Sequence, residues 1–334
     1  MIVTHDDLPH PVPPFAYLRY KENWFFIIID VEHSVFGMAH FNYEPGFDRA
    51  RVSCNLMVRG ELFKYANQIP FPEHFAFAPQ IGDERLTVRF LEPHARFALQ
   101  LHSSDLELDL LFERQAPTFD YRDYDAANPE KPSARELMGF ATNQLFEHQQ
   151  QAMRIGGTLR LKAGSARGET IAMAGLGYRD HSRAMRSDNM TARHVWTCLL
   201  FPGTVFGAMS LNNVLRPGLT SNSGYVHDAA GLRSLRDIEV LRHGEGPGQM
   251  PAQVEFRFSD VYGRTFNVMA DIAGRYGHVP LVAEAASSSG FSYHIVENFC
   301  PVTLLETGER GHALVEMGFN SKPAVDSTPS PGLP

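Results

Sequence analysis

Short segments in which apolar and polar residues alternate, separated by turn-forming residues, recur along most of the 334-residue chain. The clearest segments lie at residues 86–90, 95–101, 106–110, 195–200, 205–211, 254–258, 265–270, 303–305 and 313–317. Alternation with a period of two is typical of strands, because successive side chains point to opposite faces of a sheet. Many short strands at even spacing predict an all-β fold built from antiparallel β-barrels or sandwiches.

The length of the chain favours about two domains. Residues 119–132 are polar and punctuated by prolines, as is typical of a linker, so we expect an N-terminal β domain over residues 1–130 and a C-terminal β domain over residues 131–320. Ser133 and Glu136 have the spacing of a capping box, which predicts one short helix. Residues 321–334 are rich in Pro and Ser and predict a disordered tail.

The charge and hydropathy of the chain narrow the range of partners. The formal net charge is −8 and no Lys/Arg block stands out, so we expect no nucleic-acid partner. The first residues lack the pattern of a signal peptide, and the apolar run at residues 24–29 is too short to span a membrane. These features predict a soluble cytoplasmic protein with no integral membrane segment, and they leave its oligomeric state open.

Motifs for metals and cofactors do not occur in the sequence. Cys54, Cys198 and Cys300 are far apart and match no zinc-binding spacing, and none of the 15 histidines is paired at ligand spacing on one element. Gly175 and Gly177 lack the third glycine of a dinucleotide-binding motif. We therefore expect neither a metal nor a cofactor.

Residues 175–186 place several ionisable side chains within a pattern that otherwise predicts a half-buried strand. Alternation puts Tyr178 and Asp180 on one face, and Arg179, His181 and Arg183 on the other. Asp180 and His181 should therefore not point into one cavity unless a β-bulge intervenes, which the two glycines before them would permit.

The pattern Gly-x-Gly-x-Arg-Asp-His-Ser at residues 175–182 resembles that of the carotenoid 1,2-hydratase (hydroxyneurosporene synthase) superfamily and its lipocalin-like, two-barrel relatives. The resemblance extends to His148-Gln149-Gln150-Gln151 and to His194-Val195-Trp196, and spans most of the chain. It implies two consecutive lipocalin-like, calycin-type antiparallel β-barrel domains, with an apolar pocket at or near their junction.

The resemblance also implies a chemistry. Carotenoid hydratases protonate an isolated alkene with a carboxylic acid and let water capture the carbocation, and fungal relatives shape polyenes for pericyclic cyclisation. The acid role is carried over to Asp180 and a supporting role to His181. This chain has Ser182-Arg183-Ala184 where such relatives have Ser-Trp-Gly, which removes an indole suited to stabilising a cation.

Two roles are open for Asp180. As an acid it has to stay neutral, which burial favours by up to about 3–5 pKa units, whereas a neighbouring arginine lowers the pKa of an Asp by about 1–3 units. Alternation directs Arg179 and Arg183 away from Asp180. The alternative is a structural ion pair between Asp180 and an arginine that fixes the strand.

The sequence thus favours a cofactor-independent lyase or isomerase of the hydratase, dehydratase or cyclase type, acting on an apolar isoprenoid, polyketide or aromatic small molecule. The alternative is a non-catalytic, lipocalin-like carrier of a hydrophobic ligand. We expect Asp180, His181 and Tyr178 to be catalytic. The expected substrate-binding residues are Trp196, His194, Arg183, His148 and Tyr225.

Overall fold

A computed structural model of the chain describes residues 4–131, 146–185, 191–213, 220–244, 250–286 and 292–321. The chain forms two compact units, the first from residues 1–123 and 142–186 and the second from residues 124–141 and 187–334. Each unit is built around one antiparallel sheet, so the prediction of an all-β, lipocalin-like fold is confirmed.

The first unit contains a curled sheet of 11 strands in the order β4-β3-β2-β1-β11-β10-β8-β7-β6-β5, with β9 also paired to β10. Its strands are β1 (Tyr20–Asp30), β2 (Val35–Glu44), β3 (Arg49–Val58), β4 (Glu61–Ile69), β5 (Gln80–Gly82), β6 (Leu86–Glu92), β7 (Arg96–His102), β8 (Leu106–Arg114), β9 (Phe119–Asp120), β10 (Phe146–Leu161) and β11 (Thr170–Met185). Three short 3₁₀ helices, Thr4–Asp7, Pro14–Arg19 and Pro45–Phe47, accompany the strands, and the described α-helix, α1 (Tyr121–Ala127), begins in this unit and ends in the second.

The side chains on one side of this sheet form an extended apolar core that includes Trp24, Phe26 and Phe97. We call this side of the sheet the core face. β11 is paired on both edges, with β1 and with β10, and all side chains from Tyr178 to Ser182 are buried. The strand expected to be half-buried is therefore enclosed on both faces around Asp180.

Two expectations about chain organisation are corrected. β10 and β11 pair with β1 and β8 of the first unit, so Asp180 belongs to that unit and the expected boundary at residue 130 does not separate the units. Residues 119–132 are not a simple linker, because they contain β9 and α1 and bury Tyr121 and Tyr124. The predicted capping box and the residues after 321 lie outside the described part of the chain.

The second unit contains nine strands in the order β17-β16-β15-β14-β13-β12-β20-β19-β18, and pairing of β17 with β19 closes eight of them into a barrel. Its strands are β12 (Thr191–Leu200), β13 (Val205–Asn213), β14 (Thr220–Asp228), β15 (Gly231–His243), β16 (Gln253–Asp260), β17 (Thr265–Asp271), β18 (Gly277–Ala286), β19 (Ser292–Leu304) and β20 (Glu309–Ser321). Alternate side chains such as Val195, Val296 and Val315 fill the barrel core.

Candidate active site

The alternation along β11 separates the ionisable side chains as the sequence predicts. Arg179 and His181 lie on the core face, where Arg179 contacts Phe97 and His181 stacks on Trp24 at 4.3 Å between ring centroids. Asp180 lies on the opposite face. The register with both neighbouring strands is continuous through this stretch, so no bulge brings Asp180 and His181 together.

The glycines before Asp180 permit close packing rather than a bulge. A Cβ atom at Gly177 would lie 2.7 Å from Ile155 Cγ2 and 2.9 Å from a ring carbon of Phe112. A Cβ atom at Gly175 would lie 2.4 Å from the carbonyl oxygen of Ile29. Both glycines therefore let neighbouring groups approach β11 more closely than a larger residue would allow.

Asp180 contacts two side chains of β10. His148 Nε2 and Asp180 Oδ2 form a short hydrogen bond, and the amide nitrogen of Gln150 donates to the same oxygen at 2.9 Å. Gln150 is fully buried, whereas the side chains of His148 and Asp180 retain 8% and 10% exposure. Asp180 and His148 therefore form a carboxylate–imidazole pair.

Two tyrosines fix the orientation of Gln150. The hydroxyl groups of Tyr121 and Tyr178 donate to Gln150 Oε1 at 2.9 Å and 2.8 Å. Because the amide oxygen accepts both bonds, the amide nitrogen is directed toward Asp180. Tyr121 also stacks on His148, with ring centroids 4.5 Å apart. The result is a connected network that holds both members of the Asp180–His148 pair.

A carboxylate in contact with an imidazole can hold a proton and pass it on, which is the requirement for general acid–base chemistry. Tyr178 supports Asp180 through Gln150, as the second residue in a chain of hydrogen bonds. His148, expected only to bind substrate, is the direct partner of Asp180. His181, expected to support Asp180, lies on the other face of the sheet and contacts Glu22 instead.

Glu22 is the centre of a second polar cluster, on the core face. Its Oε1 atom lies 2.7 Å from His10 Nδ1 and 2.9 Å from His181 Nε2. Its Oε2 atom accepts hydrogen bonds from the Tyr20 hydroxyl at 2.6 Å and from the His10 backbone N–H at 3.2 Å. Burial alone would raise the pKa of Glu22, but the bonds from His10 and His181 outweigh it and lower the pKa to about 2.

His10, Glu22 and His181 are also a set of residue types that could hold a divalent cation, with ligand atoms within 4.8 Å of one another. The spacing of histidines along the sequence did not reveal this cluster, because its members come from three separate segments. Four donors already satisfy the Glu22 carboxylate without a cation. The cluster therefore stabilises the first unit through hydrogen bonds, and the absence of a bound metal stays a prediction.

We expect replacement of Glu22 by glutamine to weaken the fold in a pH-dependent way. The folded pKa of about 2 lies below the ordinary value of 4.5, a difference worth on the order of 3 kcal/mol at neutral pH. This stabilisation is present above pH 4.5 and is lost as the pH falls toward 2. The gap in unfolding free energy between wild type and Glu22→Gln should therefore shrink over this range.

Urea unfolding at pH 7, 4.5 and 3 measures this gap. Glu113→Gln is the matched control, because Glu113 is an exposed glutamate of the same sheet. A gap between wild type and Glu22→Gln that stays constant with pH would contradict the assignment.

The two arginines of the motif bind other carboxylates. Arg179 pairs with Asp7, and both side chains are fully buried. Arg183 donates to Glu147 through Nε at 2.8 Å and through a terminal nitrogen at 2.6 Å. Neither arginine of the motif is therefore the partner of Asp180 in the hydrogen bonds described above, and Arg183, expected to bind substrate, is engaged with Glu147.

The remaining predicted site residues belong to the second unit. His194 and Trp196 share a face of β12, and His194 Nε2 forms a short hydrogen bond with Glu316 Oε1. Tyr225 is fully buried on β14. A cavity of about 520 Å³ in the same unit contains none of these residues. It is lined largely by polar side chains that include Asn222, Asp237 and Arg257.

Local sequence patterns did not predict a site role for Gln150 and Tyr121 of the first network or for His10 and Glu22 of the second. A signal existed for Gln150, since three consecutive glutamines, Gln149 to Gln151, follow His148 in a strand. Tyr121 lies in the segment at residues 119–132, whose polarity and prolines predict a linker. Within the described part of the chain, no helix has the length and apolar character needed to cross a membrane.

The fold and the buried polar network define an all-β protein of two lipocalin-like units with a carboxylate–imidazole pair in the first. The chain belongs to the family described as "Domain of unknown function (DUF7064)", whose family model matches residues 4–321. No curated protein matches the chain at a significant level.

Solved structures show the same fold at low sequence identity. Kievitone hydratase from Nectria haematococca is 10% identical with a TM-score of 0.60, covering 92% of this chain and 93% of that chain. CghA with Sch210972 is 12% identical with a TM-score of 0.63, covering 94% of both chains. The AttH-like protein NE1406 from Nitrosomonas europaea is 12% identical with a TM-score of 0.60, covering 94% of this chain and 93% of that chain. The chain therefore shares its fold with these three proteins, in agreement with the two-barrel, lipocalin-like fold that the resemblance predicts.

Proposed function

We propose that the protein is a cofactor-independent lyase or isomerase that moves a proton on a hydrophobic small molecule at the Asp180–His148 pair. The substrate class is an isoprenoid, polyketide or aromatic compound with a carbon–carbon double bond. We also propose that it works in the cytoplasm and binds no nucleic acid, in agreement with its acidic charge. The observation that carries the proposal is the network in which Gln150 and two tyrosines hold Asp180 against His148.

This network has the features that proton transfer requires. The pair is nearly enclosed, so a bound substrate would be shielded from bulk water, while the remaining exposure of Asp180 and His148 leaves a path to a reacting atom. Three neutral side chains, Gln150, Tyr121 and Tyr178, position the pair without adding charge. Hydration at such a site adds one proton to an alkene carbon, and a water oxygen then bonds to the carbocation and returns a proton to the pair.

The likeness to kievitone hydratase supports the proposal at the level of the fold, because that protein is a hydratase by name. The chemistry of this chain rests on its own residues. Arg183 stands where the relatives that this chain resembles have a tryptophan, so no indole is present at that position to stabilise a carbocation, which favours substrates that form tertiary or conjugated cations.

The test is turnover of an alkene that gives a tertiary cation on protonation. A dimethylallyl-substituted phenol and a linear polyene serve as probes, each incubated with the purified protein in ¹⁸O-labelled water. Mass spectrometry then detects an added labelled water molecule for hydration, or an isomer of unchanged mass for cyclisation. Extraction of small molecules that copurify with the protein supplies further candidate substrates.

The carrier alternative is favoured by one observation, the nearly complete enclosure of the polar network, which also suits a purely structural role. A carrier would retain a hydrophobic probe through purification and return it chemically unchanged. Retention of a probe without any conversion, across the probes and the copurifying molecules, would contradict the enzyme proposal.

A further inference from the structure

Two glutamates stand side by side in the second unit. Glu297 of β19 and Glu316 of β20 are direct partners in the register of the two strands. Alternate residues Val296 and Val315 belong to the barrel core, so both glutamates lie on the opposite face of the sheet. His194 of β12 contacts Glu316 from the other side of β20. The arrangement is a row of three ionisable side chains across three adjacent strands.

No described residue of the second unit stabilises a negative charge on the Glu297 side chain. Its side chain is fully buried, and neither carboxylate oxygen accepts a hydrogen bond from the described residues. Its register partner on β18 is the apolar Val279, and its register partner on β20 is a second carboxyl group. A buried, unpaired carboxylate beside another carboxylate is strongly unfavourable, so one proton has to remain on the pair. Burial and the neighbouring Glu316 accordingly raise the pKa of Glu297 well above its ordinary range.

The first unit contains a similar pair of register partners, although its histidine and its amide side chain both come from β10, on one side of Asp180. Gln150 and Asp180 are direct partners in the register of β10 and β11, as Glu297 and Glu316 are in β19 and β20. Gln150 donates its amide N–H to Asp180. A glutamic acid at the equivalent position can donate to its neighbour only when it carries a proton. Glu297 therefore matches Gln150 as a donor only in its protonated form.

We propose that Glu297, Glu316 and His194 form a second proton-transfer site, in which a proton shared by the two carboxyl groups is the general acid toward a neutral, unsaturated hydrophobic molecule. An anionic ligand is disfavoured there, because the pair keeps one negative charge after binding its proton. Trp196 is the register partner of Glu316 on β12 and supplies an indole suited to stabilise a carbocation.

The proposed reaction needs no further reactant except water. The shared proton adds to one alkene carbon and bonds through the π electrons of the alkene, while the electron pair of the broken O–H bond remains on a carboxyl oxygen of the glutamate pair, next to His194. A water oxygen then bonds to the carbocation and loses a proton, which restores the protonated pair. The proposal rests on the proposed function for its substrate class, but it assigns the acid to different residues.

The first measurement needs no substrate. Infrared difference spectra at pH 7 compare wild type with Glu297→Gln and with Glu306→Gln, an exposed glutamate of the same unit. We expect the wild type to show the carbonyl band of a protonated carboxyl group, and Glu297→Gln alone to lose it. Glu297→Gln imitates the first unit, so it should fold. Its denaturation midpoint should rise relative to wild type as the pH increases above about 4.5, because the unfolded wild type then releases the Glu297 proton that the folded protein keeps, which favours unfolding of the wild type alone. Absence of the band in the wild type would overturn the proposal.

The second measurement is turnover of the alkene probes by Glu297→Gln and Asp180→Asn. We expect Glu297→Gln to lose about 10²-fold or more, the usual contribution of a general acid. Full turnover in Glu297→Gln with loss in Asp180→Asn would overturn the second site and leave the proposed function intact. Loss in Glu297→Gln with full turnover in Asp180→Asn would support the second site and contradict the proposed role of the Asp180–His148 pair.

Discussion

Replacement of Asp180 by asparagine should lower turnover by about 10²-fold or more while the protein stays folded, because general acid–base catalysis typically contributes about 10² to 10⁴. Asparagine keeps the shape of the side chain and offers a carbonyl oxygen in place of Oδ2, the atom that contacts His148 and Gln150. It removes the group that exchanges a proton with His148. The substitution strands neither Arg179 nor Arg183, since these bind Asp7 and Glu147.

Turnover and thermal melting of the same preparations decide the role of Asp180. Asp109→Asn, at an exposed position of β8, is the matched control and should behave as wild type. A variant of Asp180 that is stable, binds ligand and is inactive supports catalysis, whereas an unstable one supports a structural role. A variant as stable and as active as wild type would contradict both.

Replacement of Arg179 by methionine should destabilise the protein by about 3–5 kcal/mol, the usual cost of breaking a buried ion pair from one side. Asp7 and Arg179 are both fully buried, and among the described residues Asp7 would keep His94, whose backbone N–H donates at 2.6 Å and whose Nδ1 lies 4.0 Å away. The guanidinium group also lies 5.3 Å from the ring of Phe97, a favourable contact that the variant loses. Urea unfolding at neutral pH measures the change.

Arg59→Met is the control for this experiment, because Arg59 pairs with Glu169 at the surface and exposed pairs contribute little. A double variant that also replaces Asp7 by leucine should recover part of the loss, since it leaves no buried charge unpaired. A loss for Arg179→Met no larger than that of the control would refute the idea that the pair anchors the N-terminal segment to β11.

The alternation of apolar and polar residues along the sequence predicted most of the individual strands. The expected strands at residues 86–110 correspond to β6, β7 and β8, and the expected strands at residues 254–270 correspond to β16 and β17. Alternation also assigned the faces of Tyr178, Asp180 and His181 correctly, because side-chain direction in a regular strand depends only on parity.

Local sequence patterns did not predict which distant segments pair with each other. Nothing in residues 146–185 shows that they complete the first sheet rather than begin the second, because either sheet offers the same kind of edge. The partners of the motif are equally remote: His148 is 32 residues from Asp180, and Glu22 is 159 residues from His181. The prediction of a linker at residues 119–132 was wrong because linkers and short, partly buried helices can both be polar and contain prolines.

The position of β11 between β1 and β10 has a consequence for biosynthesis. During translation β1 emerges early, but the strand that covers its free edge ends at Met185. Until β10 and β11 are synthesised, the nascent first unit keeps unpaired backbone groups along β8 and β1, respectively, and such edges are prone to pair with other chains. Pairing of β1 with β11 also closes a long loop of sequence, and contacts between such distant segments form slowly. The interval between synthesis of β8 and of β11 is therefore when this protein is most in need of a chaperone.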